Sequence, residues 1–504
     1  MVLTPLMRVR SPCGWADDKK ESRSVAWPSQ ALSLRPFGPL NRLRDRFLSS
    51  DSLIARRSGI AALCLLVACA PVNNDPSAVT RAANTIQTLP PLKAFGASTV
   101  RPASRSNTEI AQDFMDLSFR MENGRSLPIL TRFDGPITVR FGTVPSPSLT
   151  NDLTALLTRL RGEAGISIMR TNADTANITI ESIPQRQLQR AVPRASCFVV
   201  PNVTSWADFQ RNRRTKELDW ATLTRRDTAT IFLPAEAAPQ EQRDCLHEEL
   251  AQALGPLNDL YRLPDSVFND DNIHPVLTGF DMLILKAYYA PELANGMTAD
   301  QVANRINVIL ARLNPAGELQ RSERPMQTST EWMDAMQTAL LRGSALPRRQ
   351  RAAERAIALG ERQGWSGPRQ GFAHYASGRL LIGSDPEAAL SAFERADSFY
   401  QASPDMDIHR AHISAQRAAF ALARGDVEGT LSITDDAIPV AYRHQDAALM
   451  STLMMFKAEA LDMRGNAQAA ETVRLDSLGW ARYGFGSDRN VQARLAEIAA
   501  LRPF

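Results

Sequence analysis

Residues 245–259 constrain this chain most, because polar side chains at helical spacing interrupt an otherwise apolar segment. Apolar residues recur there at intervals of three and four, which predicts the core-facing side of an amphipathic helix. These residues are Leu246, Leu250, Ala253 and Leu254. Glu248 and Gln252 are four residues apart, so their side chains lie one turn apart on a second face, with Glu249 beside them. Gly255 is well placed to end the helix.

The spacing of these polar residues resembles that of zincins. In zincins, two His at positions i and i+4 of one helix bind zinc, and the Glu after the first His is the general base. The longer metzincin pattern adds a Gly and a third ligand. Glu248, Gln252 and Asn258 stand at the three ligand positions, and Glu249 stands at the catalytic Glu. Zinc is held by imidazole, thiolate or carboxylate, whereas an amide oxygen suits calcium or magnesium. We predict three degenerate ligand positions, with no metal and no cofactor.

The wider pattern resembles one bacterial family. It comprises the string C-L-x-E-E-x-x-Q-x-L-G-x-x-N-D, then P-D-S-x-F-N-D-D-N at 264–272 and L-T-x-F-D at 277–281. These motifs resemble the bacterial lipoproteins grouped as domain of unknown function family 2927, which in turn look related to the metallopeptidases. The resemblance covers roughly residues 105–315. It implies no established activity.

The first 69 residues are typical of a leader. Residues 1–52 lack sustained apolar periodicity and are rich in Arg, Ser and Pro, which indicates a disordered extension or an over-long gene model. Residues 53–69 are typical of a lipoprotein signal peptide, with Arg56 and Arg57 before a short apolar run and a lipobox that ends at Cys69. We expect lipidation of Cys69 and anchoring on the periplasmic side of the envelope. Ala70 after it favours the outer membrane, by resemblance to the sorting rule of enteric bacteria.

The charge balance gives no support for binding nucleic acid. The chain has 58 Lys and Arg residues and 54 Asp and Glu residues. Residues 1–68 hold 11 of the basic and 5 of the acidic residues, so the rest of the chain has 47 basic and 49 acidic residues. One basic cluster at 211–216 lies near Trp206 and is predicted to be a solvated surface loop. We therefore expect no nucleic-acid partner.

Two cysteines remain after Cys69 in the expected mature chain, Cys197 and Cys245. An oxidising periplasm would allow them to pair. Cys197 lies in the strand-like CFVV and Cys245 at the predicted head of the key helix, so a bridge would pin the helix to a sheet. Two free buried thiols are the alternative.

The pattern from 105 to 315 predicts an α+β domain, zincin-like and more specifically metzincin-like. A helix through Ile110 and Phe114 precedes strands at 129–133 and 137–142, a helix from about 150, and the strand-like NITIESI, CFVV and TATIFL. Residues 70–104 look like a tether. The acidic run 265–271 is either a calcium site or a turn whose Asx side chains cap backbone groups. His274 is predicted to be a surface or capping residue.

Beyond a linker predicted at 316–330, residues 331–504 have helical periodicity. Four glycines recur at steps of 40, 42 and 40, which indicates an internal repeat: they are Gly343, Gly383, Gly425 and Gly465. Trp332 and the triplet Ala389, Phe393 and Ala396 resemble the tetratricopeptide pattern, so we predict an all-α tetratricopeptide-like domain that binds protein segments on its concave face. A helical buttress for the first domain is the alternative.

Together these features predict a lipid-anchored periplasmic protein. Its metallopeptidase-like domain would be degenerate and non-catalytic, and its helical repeats would bind an envelope protein or peptide, with a binding or scaffolding role. The alternative is a metal-dependent peptidase or amidase in which Glu249 is the general base that activates water, with the metal held by Glu248, Gln252 and Asn258.

Overall fold

The computed structural model of the protein describes residues 89–96, 101–193, 195–320, 326–341 and 343–503. The predicted N-terminal extension, the signal peptide, Cys69 and much of the predicted tether lie outside these residues. No helix within the described ranges combines the length and the apolar composition needed to cross a membrane.

The first part, which we call the α/β region, extends from residue 101 to residue 320 and contains a five-stranded sheet. Its strands are rich in Ile, Val and Thr, which suit a pleated, buried surface. They are β1 (Ile137–Phe141), β2 (Ile168–Arg170), β3 (Ile178–Ile183), β4 (Phe198–Pro201) and β5 (Ala229–Pro234). The helices are α1 (Asn107–Ser118), α2 (Pro147–Gly162), α3 (Gln185–Ala191), α4 (Trp206–Asn212), α5 (Pro239–Leu254), α6 (Gly279–Tyr288) and α7 (Ala299–Leu313).

The strands lie in the order β2-β1-β3-β5-β4. The pairs β1–β2, β1–β3 and β3–β5 are parallel, and β4 runs antiparallel to β5 at one edge. Every residue of β5 is buried, and β3 is buried at all but one position. Such continuous burial is typical of parallel strands that are covered on both faces. The α+β class is therefore confirmed at the level of a mixed sheet with helices.

The local predictions in this region were mostly correct, but one predicted strand is absent and the short strand β2 was not predicted. The structure has helix α2 and strands β1, β3, β4 and β5 where the sequence predicted them, but residues 129–133 form no strand. The amide of Leu130 donates instead to the carbonyl oxygen of Met297, and the amide of Gly296 donates back to Leu130. This exchange with a loop satisfies the backbone without a sheet partner, although the apolar pattern resembles that of a strand.

Helix α5 contains the key stretch and lies at the centre of the fold. It packs against α2, β4 and β5, and on its other side against helix α15 of the C-terminal part. It begins at Pro239, earlier than predicted, so Cys245 lies inside the helix and not at its head. The helix ends before Gly255 as expected, but this glycine has a φ of −168° and needs no left-handed freedom. A Cβ atom there would stand 2.9 Å from the Tyr288 ring, so close packing explains the glycine.

The second part, which we call the helical region, contains only helices and their connections between residues 326 and 503. They are α8 (Thr330–Leu340), α9 (Leu346–Arg362), α10 (Pro368–Leu381), α11 (Pro386–Gln401), α12 (Asp407–Ala423), α13 (Val427–Arg443), α14 (Ala447–Met463), α15 (Ala467–Phe485) and α16 (Asp488–Ala499). Helices α8 to α15 pack as consecutive hairpins, and α16 packs on the last one.

The four repeated glycines lie in the turns inside these hairpins. Gly343, Gly425 and Gly465 have φ values of 84°, 77° and 84°, which only glycine adopts without strain. Trp332 and Phe393 are fully buried. A helical, repeat-like region is therefore present.

Part of the predicted tether is packed on the helical region. The amide of Lys93 donates to the carbonyl oxygen of Gly479 over 3.1 Å, and the ring of Phe95 lies 4.6 Å from that of Trp480. The Gly96 carbonyl oxygen accepts a hydrogen bond from the Gln445 side chain. Residues 89–96 thus lie along helix α15, a position that their irregular sequence did not indicate.

Candidate functional site

We call Glu248, Glu249, Gln252 and Asn258 the frame, because they occupy the positions of ligands and base in the zincin pattern. All four side chains are buried, with between 2% and 6% of their surface exposed. The first three project from α5, and Asn258 follows in the segment after Gly255. A catalytic metal centre needs a coordination position that substrate can reach, and no frame side chain leaves more than 6% of its surface exposed.

Two frame carboxylates lie close to a sulfur atom. One oxygen of Glu248, one oxygen of Glu249 and Sγ of Cys197 all lie within 4.8 Å of one another. The same sulfur is bonded to Sγ of Cys245 at 2.01 Å. A disulfide sulfur offers no thiolate to a metal, so this cluster supplies two carboxylates. The bridge also joins α5 to the residue that precedes β4.

The two amides of the frame have structural partners. Nε2 of Gln252 donates to Oε1 of Glu122 over 3.3 Å. Nδ2 of Asn258 donates to the carbonyl oxygen of Asp116 over 3.0 Å, which ties the segment after α5 to helix α1. The three ligand positions therefore offer one carboxylate and two amide oxygens, and an amide oxygen is a weak, hard donor. This set does not fit a catalytic zinc ion, which normally has three strong protein ligands.

His247 also has a structural role. Its Nδ1 accepts a hydrogen bond from the amide of Leu277 over 3.1 Å. Burial, together with the positive charges of Arg159 and Arg243, holds the pKa of His247 well below its ordinary value. The imidazole is therefore neutral at physiological pH and fixes α5 to the segment before α6.

Arg226 closes the C-terminal end of α5, where helix carbonyl oxygens lack partners within the helix. Its buried guanidinium donates to three of them, in Gln252, Ala253 and Gly255, over 2.6, 2.8 and 2.5 Å. The hydroxyl of Tyr289 donates to a further carbonyl oxygen, that of Leu254, over 2.9 Å. A cation at this end also complements the helix dipole. This role was not predictable from the sequence, because Arg226 follows another arginine in a polar segment.

The N-terminal end of α5 is held by the helical region. Nε2 of Gln240 donates to Oδ1 of Asp446 over 3.0 Å, and its Oε1 accepts from the amide of Ala448 over 3.0 Å. Arg243 donates to the carbonyl oxygen of Gln445 over 2.6 Å. These partners lie in the turn between α13 and α14 and at the beginning of α14. The packing favours the buttress alternative, since the hairpins support the helix that carries the frame.

The acidic run 265–271 is engaged inside the protein. Asp271 accepts from the amide of Ile273, from the side chain of Asn269 and, at 3.0 Å, from Nε2 of His409 in α12. Asp281 accepts from the amide of Val267 over 3.1 Å. These contacts favour the prediction of Asx-capped turns over that of a calcium site.

His274 was predicted to be a surface or capping residue, and because it is buried the surface alternative was wrong. Its Nε2 donates to the carbonyl oxygen of Pro264 over 2.8 Å, and its ring lies 5.7 Å from those of His409 and His444. Burial and the two neighbouring histidines lower the pKa of His274 to about 4, although Asp271 acts in the opposite direction. The histidine cluster is therefore part of the contact between the two regions.

A cleft of about 340 Å³ lies at the junction of the two regions. Arg105, Arg262 and Asp265 line it from the α/β region, and Trp365 and Arg369 line it from the helical region. No frame residue contributes to its lining. The sequence does not indicate this cleft, because its walls come from segments that are distant in sequence and share no motif.

A family described as "Protein of unknown function (DUF2927)" matches residues 107–308. The match begins with α1 and ends inside α7, so it covers the sheet, α5 and the whole frame and does not extend to the hairpins. The resemblance predicted from the motifs around residues 245–281 is confirmed over this range. No curated protein and no solved structure matches the chain.

Proposed function

We propose that the protein is a non-catalytic binding or scaffolding module, anchored by lipid on the periplasmic side of the envelope, with a degenerate zincin-like domain. The observation that carries this proposal is the state of the frame. Its four side chains are buried, and the amides of Gln252 and Asn258 donate to neighbouring oxygens. The helix that would hold a metal in a zincin here serves as the connection between the two regions.

Metal content tests the proposal most directly. We expect no stoichiometric zinc in the mature protein after exposure to zinc and dialysis, measured by elemental analysis, and no hydrolysis of a peptide library. Stoichiometric zinc together with hydrolysis that Glu249→Gln abolishes would instead establish the metal-dependent peptidase.

A gain-of-ligand variant tests the zincin alignment. Replacing Glu248, Gln252 and Asn258 together by His should create a site that holds one zinc ion per chain, because helix and following segment would converge three imidazoles. Glu241→His, on the first turn of the same helix, is the control and should bind no zinc. Failure of the correctly folded triple variant to bind zinc would overturn the alignment.

The anchor has its own test. We expect the protein to fractionate with membranes and Cys69→Ser to be soluble in the periplasm, since lipidation needs that thiol. Unchanged membrane association of Cys69→Ser would contradict the lipid anchor and leave the inactive frame unaffected.

A further inference from the structure

Residues 89–96, which we call the strap, are held by the helical region in the manner of a bound peptide. They lie outside every helix and strand, and two of their main-chain hydrogen bonds go to helix α15. The Lys93 amide donates to the Gly479 carbonyl oxygen over 3.1 Å, and the Pro90 carbonyl oxygen accepts from Nη1 of Arg482 over 2.9 Å. Main-chain hydrogen bonds of this kind give affinity for an extended peptide, and pockets for its side chains give specificity.

Helix α15 has a glycine where the strap crosses it. Gly479 lies in the interior of this helix, where glycine is about 1 kcal/mol less favourable than alanine. A Cβ atom there would stand 2.9 Å from Cγ of Lys93 and 3.1 Å from the carbonyl oxygen of Pro91, and its three nearest atoms all belong to the strap. The glycine therefore weakens the helix locally and allows the main chain of the strap to approach it closely.

The side chains of the strap contact aromatic and charged groups. The ring of Phe95 lies 4.6 Å from that of Trp480, and the guanidinium of Arg243 lies 5.4 Å from the centre of the Phe95 ring. Nζ of Lys93 pairs with Asp476 and lies 5.6 Å from the centre of the Trp480 ring. The surface that binds the strap, which we call the α15 groove, comprises Arg243, Gln445, Asp476, Gly479, Trp480 and Arg482. It accommodates a lysine and, two positions later, an aromatic residue.

The strap also has the composition of a groove ligand. Pro90 and Pro91 favour the extended polyproline II conformation, which is already ordered before binding and so loses little entropy. Docking of proline-containing segments on aromatic-lined grooves is a recurring mode of peptide recognition. Leu89, before the two prolines, is buried in the same hydrophobic cluster as Leu478 of α15. The strap therefore shows what kind of segment the groove can hold.

We propose that the α15 groove binds an extended segment of another envelope protein, with two prolines, a lysine and an aromatic residue in the spacing P-P-x-K-x-F of residues 90–95, and that the strap occupies the groove as a built-in competitor. The strap belongs to the same chain, so its effective concentration at the groove is on the order of millimolar, and a partner must outcompete it. This inference deepens the proposed binding function and rests on it, but it uses no residue of the frame.

The experiment titrates a labelled peptide of residues 88–97 with the mature chain and follows its fluorescence anisotropy. In a released variant, Lys93→Glu and Phe95→Ala together remove the side-chain contacts of the strap. The peptide should bind this variant about tenfold or more tightly than it binds the wild type, in which the strap competes. Phe95→Ala in the peptide should abolish binding. Leu92→Ala in the peptide is the matched control and should not, because Leu92 is 39% exposed.

Gly479→Ala in the released variant separates the groove from the stability of the fold. The added methyl group would collide with the main chain of the bound peptide, so binding should be lost. The thermal midpoint should not fall, because alanine is the better helix former and the strap has already left the groove. Loss of binding with an unchanged midpoint therefore assigns the binding to the groove.

The contrary outcomes are distinct. Absence of binding by a folded released variant, or binding that Gly479→Ala leaves unchanged, would overturn the peptide site. Equal binding by the wild type and the released variant would overturn the role of the strap as a competitor. Concentration-dependent dimerisation of the wild type, measured by light scattering, would assign the groove to the strap of a second copy. None of these results concerns zinc or hydrolysis, so the inactive frame would be unaffected, whereas cleavage of the bound peptide would overturn the non-catalytic function and leave the groove in place.

Discussion

The two ends of helix α5 are held by different parts of the chain. At the C-terminal end, Arg226 and Tyr289 of the α/β region bind four carbonyl oxygens of the helix and its cap. At the N-terminal end, Gln240 and Arg243 bind the turn between α13 and α14, more than 200 residues away in sequence. The contacts at the C-terminal end lie within the α/β region, whereas the contacts at the N-terminal end join the two regions.

This difference predicts different consequences of mutation. Loss of contacts at the C-terminal end should destabilise the whole α/β region, because it leaves buried carbonyl oxygens without donors. Loss of contacts at the N-terminal end should weaken the junction and leave each hydrophobic core intact.

The disulfide should have the largest effect, because it fixes α5 to the edge of the sheet. The bridge closes a loop of 48 residues, and loop entropy alone gives about 4 kcal/mol for that length. We expect the double variant Cys197→Ser, Cys245→Ser to lose a similar free energy of unfolding in urea titration. Wild-type protein unfolded with a reductant present is the control and should match the variant. Two alkylatable thiols in protein expressed in the periplasm would refute the bridge.

Arg226→Met should cost about 3 kcal/mol, since it leaves several buried helix carbonyl oxygens unsatisfied. Arg225→Met is the matched control. The Arg225 side chain is 63% exposed and pairs with Asp227, so its loss should change stability by less than about 0.5 kcal/mol. Similar urea midpoints for the two variants would show that Arg226 does not stabilise the C-terminal end of α5.

His274 should make the junction sensitive to acid. Its pKa falls from 6.5 to about 4 on folding, so between these values the unfolded state binds more protons and the free energy of unfolding falls as the pH falls. His274→Gln keeps a donor for the Pro264 carbonyl oxygen but cannot be protonated. Between pH 7 and pH 4.5 the wild type should therefore lose about 2 kcal/mol more than the variant.

Two buried carboxyl groups make that control necessary. Burial raises the pKa of Asp152 and of Asp281 to about 6, so each favours the native state as the pH falls from about 6 towards 3.8. Both carboxyl groups contribute equally to the pH dependence of the wild type and of the variant. The difference between the two proteins therefore reports on His274 alone. Parallel pH profiles of the two proteins would show that protonation of His274 does not weaken the junction.

Gln240→Ala should have the smallest effect on total stability, about 1 kcal/mol for two buried hydrogen bonds that water can partly replace. Its diagnostic effect is local. Hydrogen exchange should accelerate in the first turns of α5 and α14 but not in β3 or β5. Gln468→Ala, at an exposed position on α15, should change neither. Faster exchange throughout the sheet would contradict the division between the two ends.

The sequence predicted those parts of the fold that depend on a local period. The apolar spacing around Leu246 and Leu250 identified α5, and the recurrence of Gly343, Gly383, Gly425 and Gly465 identified the hairpin turns. Periodicity succeeds there because one buried face repeats along the chain. It failed at residues 129–133, where apolar residues pair with a loop, and for the short strand β2, where three residues are too few to show a pattern.

The sequence also placed the frame, because Glu248, Glu249 and Gln252 are fixed relative to one another by helical geometry. Only the tertiary structure decided that these side chains are buried, that Arg226 caps the helix and that the hairpins bind its other end. The partners of Arg226 and Gln240 lie in segments that are distant in sequence. Long-range polar contacts carry no periodic signal, so burial and pairing appear only when the chain has folded.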